Sequence, residues 1–158
     1  MLKYVDTKIT FSEVPNEISL CINFSNCLHK CEGCHSSYLS KDIGEELNCS
    51  VLQKLIEDNR GISCICFMGG DAESISYWAH WIKNNYPNLK VAWYTGDDEL
   101  TEYTKIKYFN YVKIGHYDKD KGPLNSKTTN QRFYEVLRVN KLEEKYVLND
   151  ITYLFWNK

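Results

Sequence analysis

The chain has 158 residues, a net charge of −2, 43% hydrophobic and 14% aromatic content, and 12 tyrosines. That length gives one domain over residues 1–158 with a modest core, and near-balanced charge excludes the footprint of a nucleic-acid or membrane-surface binder. No stretch approaches the ~20 apolar residues of a membrane span, the N-terminus carries no secretion signal, and seven cysteines without one point to metal ligands or buried thiols in a reducing, cytoplasmic setting.

Residues 1–17 form a strand-prone lead-in, with Thr7, Ile9 and Phe11 alternating before Pro15. The apolar run 18–24 predicts a buried strand. After a cysteine-rich loop, Ser50-Val51-Leu52-Gln53 has the form of a capping box, with Ser50 as N-cap, and Gly61 is a natural stop for its helix. Residues 62–68 predict the next strand, ending at Gly69-Gly70-Asp71. A helix follows on Ile75, Trp78, Ala79 and Ile82. Residues 89–94 predict a third strand, closed by Thr95-Gly96. A polar helix is expected from about 99 to 107, then a strand over 111–114 ending at Gly115. Residues 119–129 are polar and turn-rich. A strand over 133–139 precedes a terminal hairpin of 145–147 and 151–156 around Asn149-Asp150.

Strands alternating with helices argue for an α/β fold with a parallel sheet, whose functional groups gather at the C-terminal strand ends. The cysteine loop, Gly69-Gly70-Asp71, Thr95-Gly96 and Gly115 all fall at such ends.

In that loop Cys27, Cys31 and Cys34 are spaced C-x3-C-x2-C, and dense thiolates select zinc, Cu(I) or an iron–sulfur cluster. A zinc site normally needs a fourth protein ligand, and His29, His35 or Cys21 are the candidates to complete one. Three thiolates on a four-iron cube would instead leave one iron free for a small molecule. The i, i+4, i+7 spacing also fits one face of a helix, a reading weakened by Gly33. Cys64 and Cys66 alternate on one strand face and read as packed small hydrophobes, as do Cys21 and Cys49. His80 reads as a helix-surface residue.

The stretch Asn26-Cys27-Leu28-His29-Lys30-Cys31-Glu32-Gly33-Cys34-His35-Ser36 resembles the cluster loop of radical S-adenosylmethionine (SAM) enzymes. Within them it is similar to the activating proteins of anaerobic ribonucleoside-triphosphate reductases, which carry glycine at the position of Gly33. Trp93-Tyr94-Thr95-Gly96, Tyr111–Tyr117 and Leu124–Arg132 also resemble segments of that family. The sequence departs from it at Ala72 and His116, where proline is usual, and at Asn125, where aspartate is. The resemblance implies a truncated, open (βα) partial barrel with a mostly parallel sheet. It implies a [4Fe-4S] cluster on Cys27, Cys31 and Cys34, and SAM held by Gly69, Gly70, Asp71, Thr95 and Gly96. Asn130, Gln131 and Arg132 would contact SAM or the partner. The implied activity is reductive SAM cleavage and hydrogen abstraction from a glycine Cα of the reductase. A low-potential donor such as flavodoxin or ferredoxin would supply the electron.

Three rival readings stand beside this one. The chain could activate another glycyl-radical enzyme, such as pyruvate formate-lyase, or act as a small radical SAM enzyme on a small molecule. The third is a zinc-binding interaction module. The tail segment Thr129-Asn130-Gln131-Arg132 argues against the first two, and the glycine-ended strands against the third.

Overall fold

Short apolar runs bounded by glycine and polar turns form the four central strands of a single sheet: β2 (Ser19–Phe24), β4 (Cys64–Met68), β5 (Lys90–Tyr94) and β6 (Tyr111–Ile114). These four run parallel to one another in that order. In the computed structural model, which describes residues 2–29, 31–34 and 36–156, β1 (Lys3–Thr10) and β3 (Glu45–Glu46) extend one side. Strands β7 (Arg132–Arg138) and β8 (Tyr146–Asp150) extend the other. The order is β3-β1-β2-β4-β5-β6-β7-β8. His35, a candidate zinc ligand, and Lys30 lie outside the described residues.

The expected mostly parallel (βα) partial barrel is not what forms. The sheet is mixed, with four of seven pairings antiparallel, and only two α-helices occur among the described residues. Parallel neighbours need a crossover that carries the chain back to the starting end. Such returns occur only between β2 and β6. The segment after β6 instead runs along the end where that strand finishes, so β7 starts there and pairs antiparallel, Ile114 opposite Arg132.

Local expectations are corrected in three further places. The region 99–107 forms no α-helix, only a 3-10 turn at Ile106–Tyr108; its sparse apolar residues offer no stripe to bury. Asn149 and Asp150 lie within β8, which pairs with β7 instead of hairpinning onto 151–156. Residues Thr152–Phe155 are a 3-10 turn. Helix α1 (Cys49–Glu57) is capped by Asn48, not Ser50. Asn48 has the extended backbone that a cap requires, and its Oδ1 accepts from Val51 N–H at 2.9 Å.

Helices α1 and α2 (Ala72–Asn85) cover one face of the sheet. Leu52 and Ile56 from α1, with Ile75, Trp78, Ala79 and Ile82 from α2, pack on Leu20, Ile22, Ile65, Phe67, Val91 and Val112. Each Leu, Ile, Val or Phe among them contributes about 1.5–3 kcal/mol when fully buried. The opposite face carries Cys21, Cys64, Cys66, Ala92, Tyr111 and Phe133. Among the described residues no α-helix covers it; Val14, Leu124, Ile151 and Phe155 do, from loops and the terminal 3-10 turn. Cys21, Cys64 and Cys66 are buried as the packing reading expects, whereas Cys49 is exposed at the start of α1. His80 is exposed and stacks on Tyr108. Among the described residues no helix is long and apolar enough to cross a membrane.

Burial pushes the Cys64 thiol up to about 12, and Cys66 well above its ordinary range. A thiol kept neutral by burial favours the fold below its unfolded pKa, and that contribution is lost as pH rises through the folded value. The denaturation midpoint of the chain is therefore expected to fall between about pH 9 and 12. Cys64→Ala should flatten that fall while costing about 1 kcal/mol at neutral pH. An unchanged alkaline slope in the variant would refute the assignment.

Candidate functional site

The C-terminal ends of the four parallel strands, together with the start of β7, form one rim. The cysteine loop leaves β2, Gly69-Gly70-Asp71 leaves β4, Thr95-Gly96 leaves β5 and Gly115-His116 leaves β6. Asn130-Gln131 leads into β7 at that same end. All five segments singled out in the sequence therefore meet.

The cysteine loop is pinned at its base and at its far side. Asn26, in the left-handed region at φ 64°, turns the chain out of β2, and its backbone N–H donates to Lys41 O. Cys27 N–H donates to Leu39 O at 2.9 Å. The Asn26 side chain donates to Asp42, which also pairs with Lys3. Cys34 N–H closes a turn onto Cys31 O at 3.2 Å, with Gly33 at φ 77°; the described loop residues 27–29 and 31–34 are not helical. His29 Nε2 lies 3.0 Å from an Asp97 carboxylate oxygen, and Glu32 lies 2.7 Å from Lys119. The loop thus bridges from the β1 side of the sheet to the segment after β6.

Gly96 is where this bridge touches the sheet. A Cβ there would stand 2.6 Å from His29 Cδ2, so only glycine lets the imidazole lie across the β5 end. Gly69 and Gly70 both have positive φ. Trp93 Nε1–H donates to Gly69 O at 2.8 Å, so Trp93, beyond its packing on Phe109, fixes the direction of that carbonyl. Asp71 is the N-cap of α2, one oxygen accepting from Ser74 N–H at 2.9 Å. Thr95 is buried, and its Oγ1 accepts from Asp97 N–H.

The polar triad before β7 works mainly on backbone. Asn130 Nδ2 donates to His116 O at 3.1 Å and Gln131 Nε2 to Gly115 O at 3.5 Å. Asn130 Oδ1 is buried without a hydrogen-bond partner. Arg132 lies 3.7 Å from Asp150, turned toward β8. His116 donates its backbone N–H to Asp98 and places Nδ1 2.7 Å from the same oxygen. The hydrogen bonds from His116 hold the Asp98 carboxyl below the usual carboxylate range.

The sequence reading passed over Lys113. It stands inside an apolar strand, is 7% exposed, and donates Nζ–H to Thr95 O at 3.1 Å and Gly115 O at 2.8 Å. A lysine between Val112 and Ile114 was the available signal. His29 and Asp97 were missed as a pair because they are far apart in sequence.

Beside the loop lies a cleft of about 320 Å³, bordered by His29, Cys31, Glu32, Asp98, His116 and Lys119 among others. Among the described residues no group of three or more His, Cys, Asp or Glu is placed to hold a single metal ion. A cubane cluster asks something different, since each thiolate takes its own iron and the three need not converge on one point. Cys27 is exposed, and Cys31 and Cys34 are half-exposed. Three soft, at least partly exposed donors on one loop, with Cys31 bordering the cleft, fit the donor set such a cluster would need.

Residues 18–136 match the family described as a 4Fe-4S single cluster domain. Over 107 residues the chain is 26% identical to the anaerobic ribonucleoside-triphosphate reductase-activating protein of Enterobacteria phage T4, spanning 61% of this chain and 69% of that protein. No solved structure matches.

Gly96→Ala should push the imidazole off the β5 end and release the His29–Asp97 contact. The expected cost is about 1–3 kcal/mol of stability, as for other overpacked sites, with faster alkylation of Cys31 and Cys34 in the cluster-free chain. Equal alkylation rates in variant and parent would show that the loop does not depend on this seat.

Proposed function

The chain belongs to the 4Fe-4S single cluster domain family, and on that premise we propose that it is a radical SAM activase for anaerobic ribonucleoside-triphosphate reductase. The observation that carries the reading is the meeting of the cysteine loop with the glycine-ended strands on one rim. Membership supports an iron–sulfur cofactor, and the T4 relative is by name a reductase-activating protein. The whole chain, residues 1–158, acts as one domain in this reading.

Cys27, Cys31 and Cys34 would hold the cluster, leaving one iron without a protein ligand. When bound, a [4Fe-4S] cluster supplies one low-potential electron for cleavage of SAM, whose radical product takes hydrogen from a glycine Cα of the reductase. The protein's part is position, charge and exclusion of water. Gly69 and Gly70 bring backbone close to SAM, with the Gly69 carbonyl aimed by Trp93. Asp71, held by its capping bond, offers its second oxygen to the ammonium of the methionine moiety. Thr95 and Gly96 stand beside them at the β5 end, Gly96 beneath the His29 imidazole. Asn130 and Gln131 act through the Gly115 and His116 carbonyls they hold, and Asn130 Oδ1 remains as an acceptor. Arg132 pairs toward β8 and is assigned no SAM contact. Leu28, next to Cys27 and 88% exposed, offers an apolar contact to the incoming reductase. A low-potential donor such as a flavodoxin or ferredoxin supplies the electron.

The test is anaerobic reconstitution with iron and sulfide, then reduction with SAM present and an assay for 5′-deoxyadenosine. About four irons per chain and product are expected for one cubane, and each of Cys27→Ala, Cys31→Ala and Cys34→Ala should abolish product. Full activity in any one of these variants, or a wild-type chain that binds only zinc and forms no product, overturns the reading. Addition of the reductase should then give a glycyl-radical signal by electron paramagnetic resonance.

A further inference from the structure

Lys113 is the one lysine among the described residues that is almost wholly buried. Its Nζ has two backbone carbonyls for partners, Thr95 O and Gly115 O, and among the described residues no carboxylate stands in ion-pair reach of it. The other strongly buried charge, Glu17, is paired directly, 2.6 Å from Lys90. A buried ammonium without a counter-charge is costly, so its retention at the rim asks what negative charge it faces.

Its location answers. Thr95 O belongs to the segment whose next residue, Gly96, seats the imidazole of His29 from the cysteine loop. Gly115 O belongs to the segment whose next residue, His116, borders the cleft with Cys31. The ammonium is therefore tied to both strand ends that the loop spans. Burial lowers its pKa to about 8, and the groups that oppose this are Cys31, Cys34, Asp98 and Cys27, in that order. Three of the four are the thiols of the triplet.

We propose that Lys113 is a positioning residue for the cluster, a fixed positive charge beneath the cysteine loop that stabilises its reduced state. The inference rests on the cluster reading above. One electron from a low-potential donor makes the thiolate-bound cluster one unit more negative, with no bond made or broken. A nearby ammonium favours that state, and so raises the reduction potential. Joined to Thr95 and Gly115, the charge is fixed in place by backbone carbonyls and not by a directly paired carboxylate.

The experiment is a redox titration of the reconstituted cluster followed by electron paramagnetic resonance, without SAM, in the parent chain and three variants. Lys113→Met and Lys113→Gln should each make reduction about tenfold less favourable, a midpoint about 59 mV more negative for one electron. Lys113→Arg should restore a midpoint near the parent's. Gln can still donate to one of the two carbonyls, so it carries the test if Met does not fold. A purely structural role would lower thermal stability in these variants and leave the midpoint unmoved. An unmoved midpoint with intact cluster signal, or an Arg variant as low as Gln, overturns the inference and leaves the cluster reading standing. Absence of any cluster signal in the parent chain overturns the cluster reading itself.

Discussion

The imidazole of His29 lies across Gly96, with Nε2 beside Asp97, and this contact decides where the three cysteines stand relative to the sheet. A loop of thiols that carried its own conformational freedom would have to be ordered by the cluster alone, at a cost of about 1–2 kcal/mol of backbone entropy per residue. Here part of that ordering is done by protein contacts at three places. The base hangs on Leu39 and Lys41, the middle on the β5 end, and the far side on Lys119. The middle attachment exists only because one residue lacks a side chain.

The same strand ends divide their labour between the two faces of the sheet. On the helix-covered face, Trp93 reaches from the core to the Gly69 carbonyl, so a packing residue also sets the direction of a binding group. On the other face, Tyr94 and Lys113 rise toward the rim from a floor of Cys64, Cys66 and Tyr111. That floor is apolar and close-fitted, and it strengthens electrostatic interactions at its upper edge by keeping water away. Lys113 is where the apolar floor ends and the polar rim begins.

Much of this was legible in the sequence. The apolar runs placed β2, β4, β5 and β6 to within a residue or two, and the glycines and cysteines at their ends marked the rim. Strand direction was not legible, because period-two alternation is the same for parallel and antiparallel partners. The return of β7 therefore came as a correction, and with it the loss of the barrel. The charged stretch 99–107 invited a helix through propensity, but Leu100 and Ile106 alone could not anchor one. Asn149-Asp150 carries a turn signal, yet Asp150 accepts from the Thr152 backbone N–H and hydroxyl and stays in the ladder opposite Tyr134. The Lys113 contacts were hidden for a different reason, since both its acceptors are backbone atoms and leave no mark in residue type.

The cover of the second face has a consequence for the order in which the molecule can be assembled. Phe133 N–H donates to Thr152 Oγ1, and the rings of Phe133 and Phe155 lie 5.0 Å apart, so the terminal turn seals the layer that holds Cys66 and Tyr94. During synthesis the cysteine loop emerges more than a hundred residues before that seal. Until residues 151–155 join, the layer of Cys64, Cys66, Tyr111 and Phe133 beneath the rim lacks part of its apolar cover. The thiols thus emerge first, and part of the apolar layer beneath them is closed only when residues 151–155 have followed.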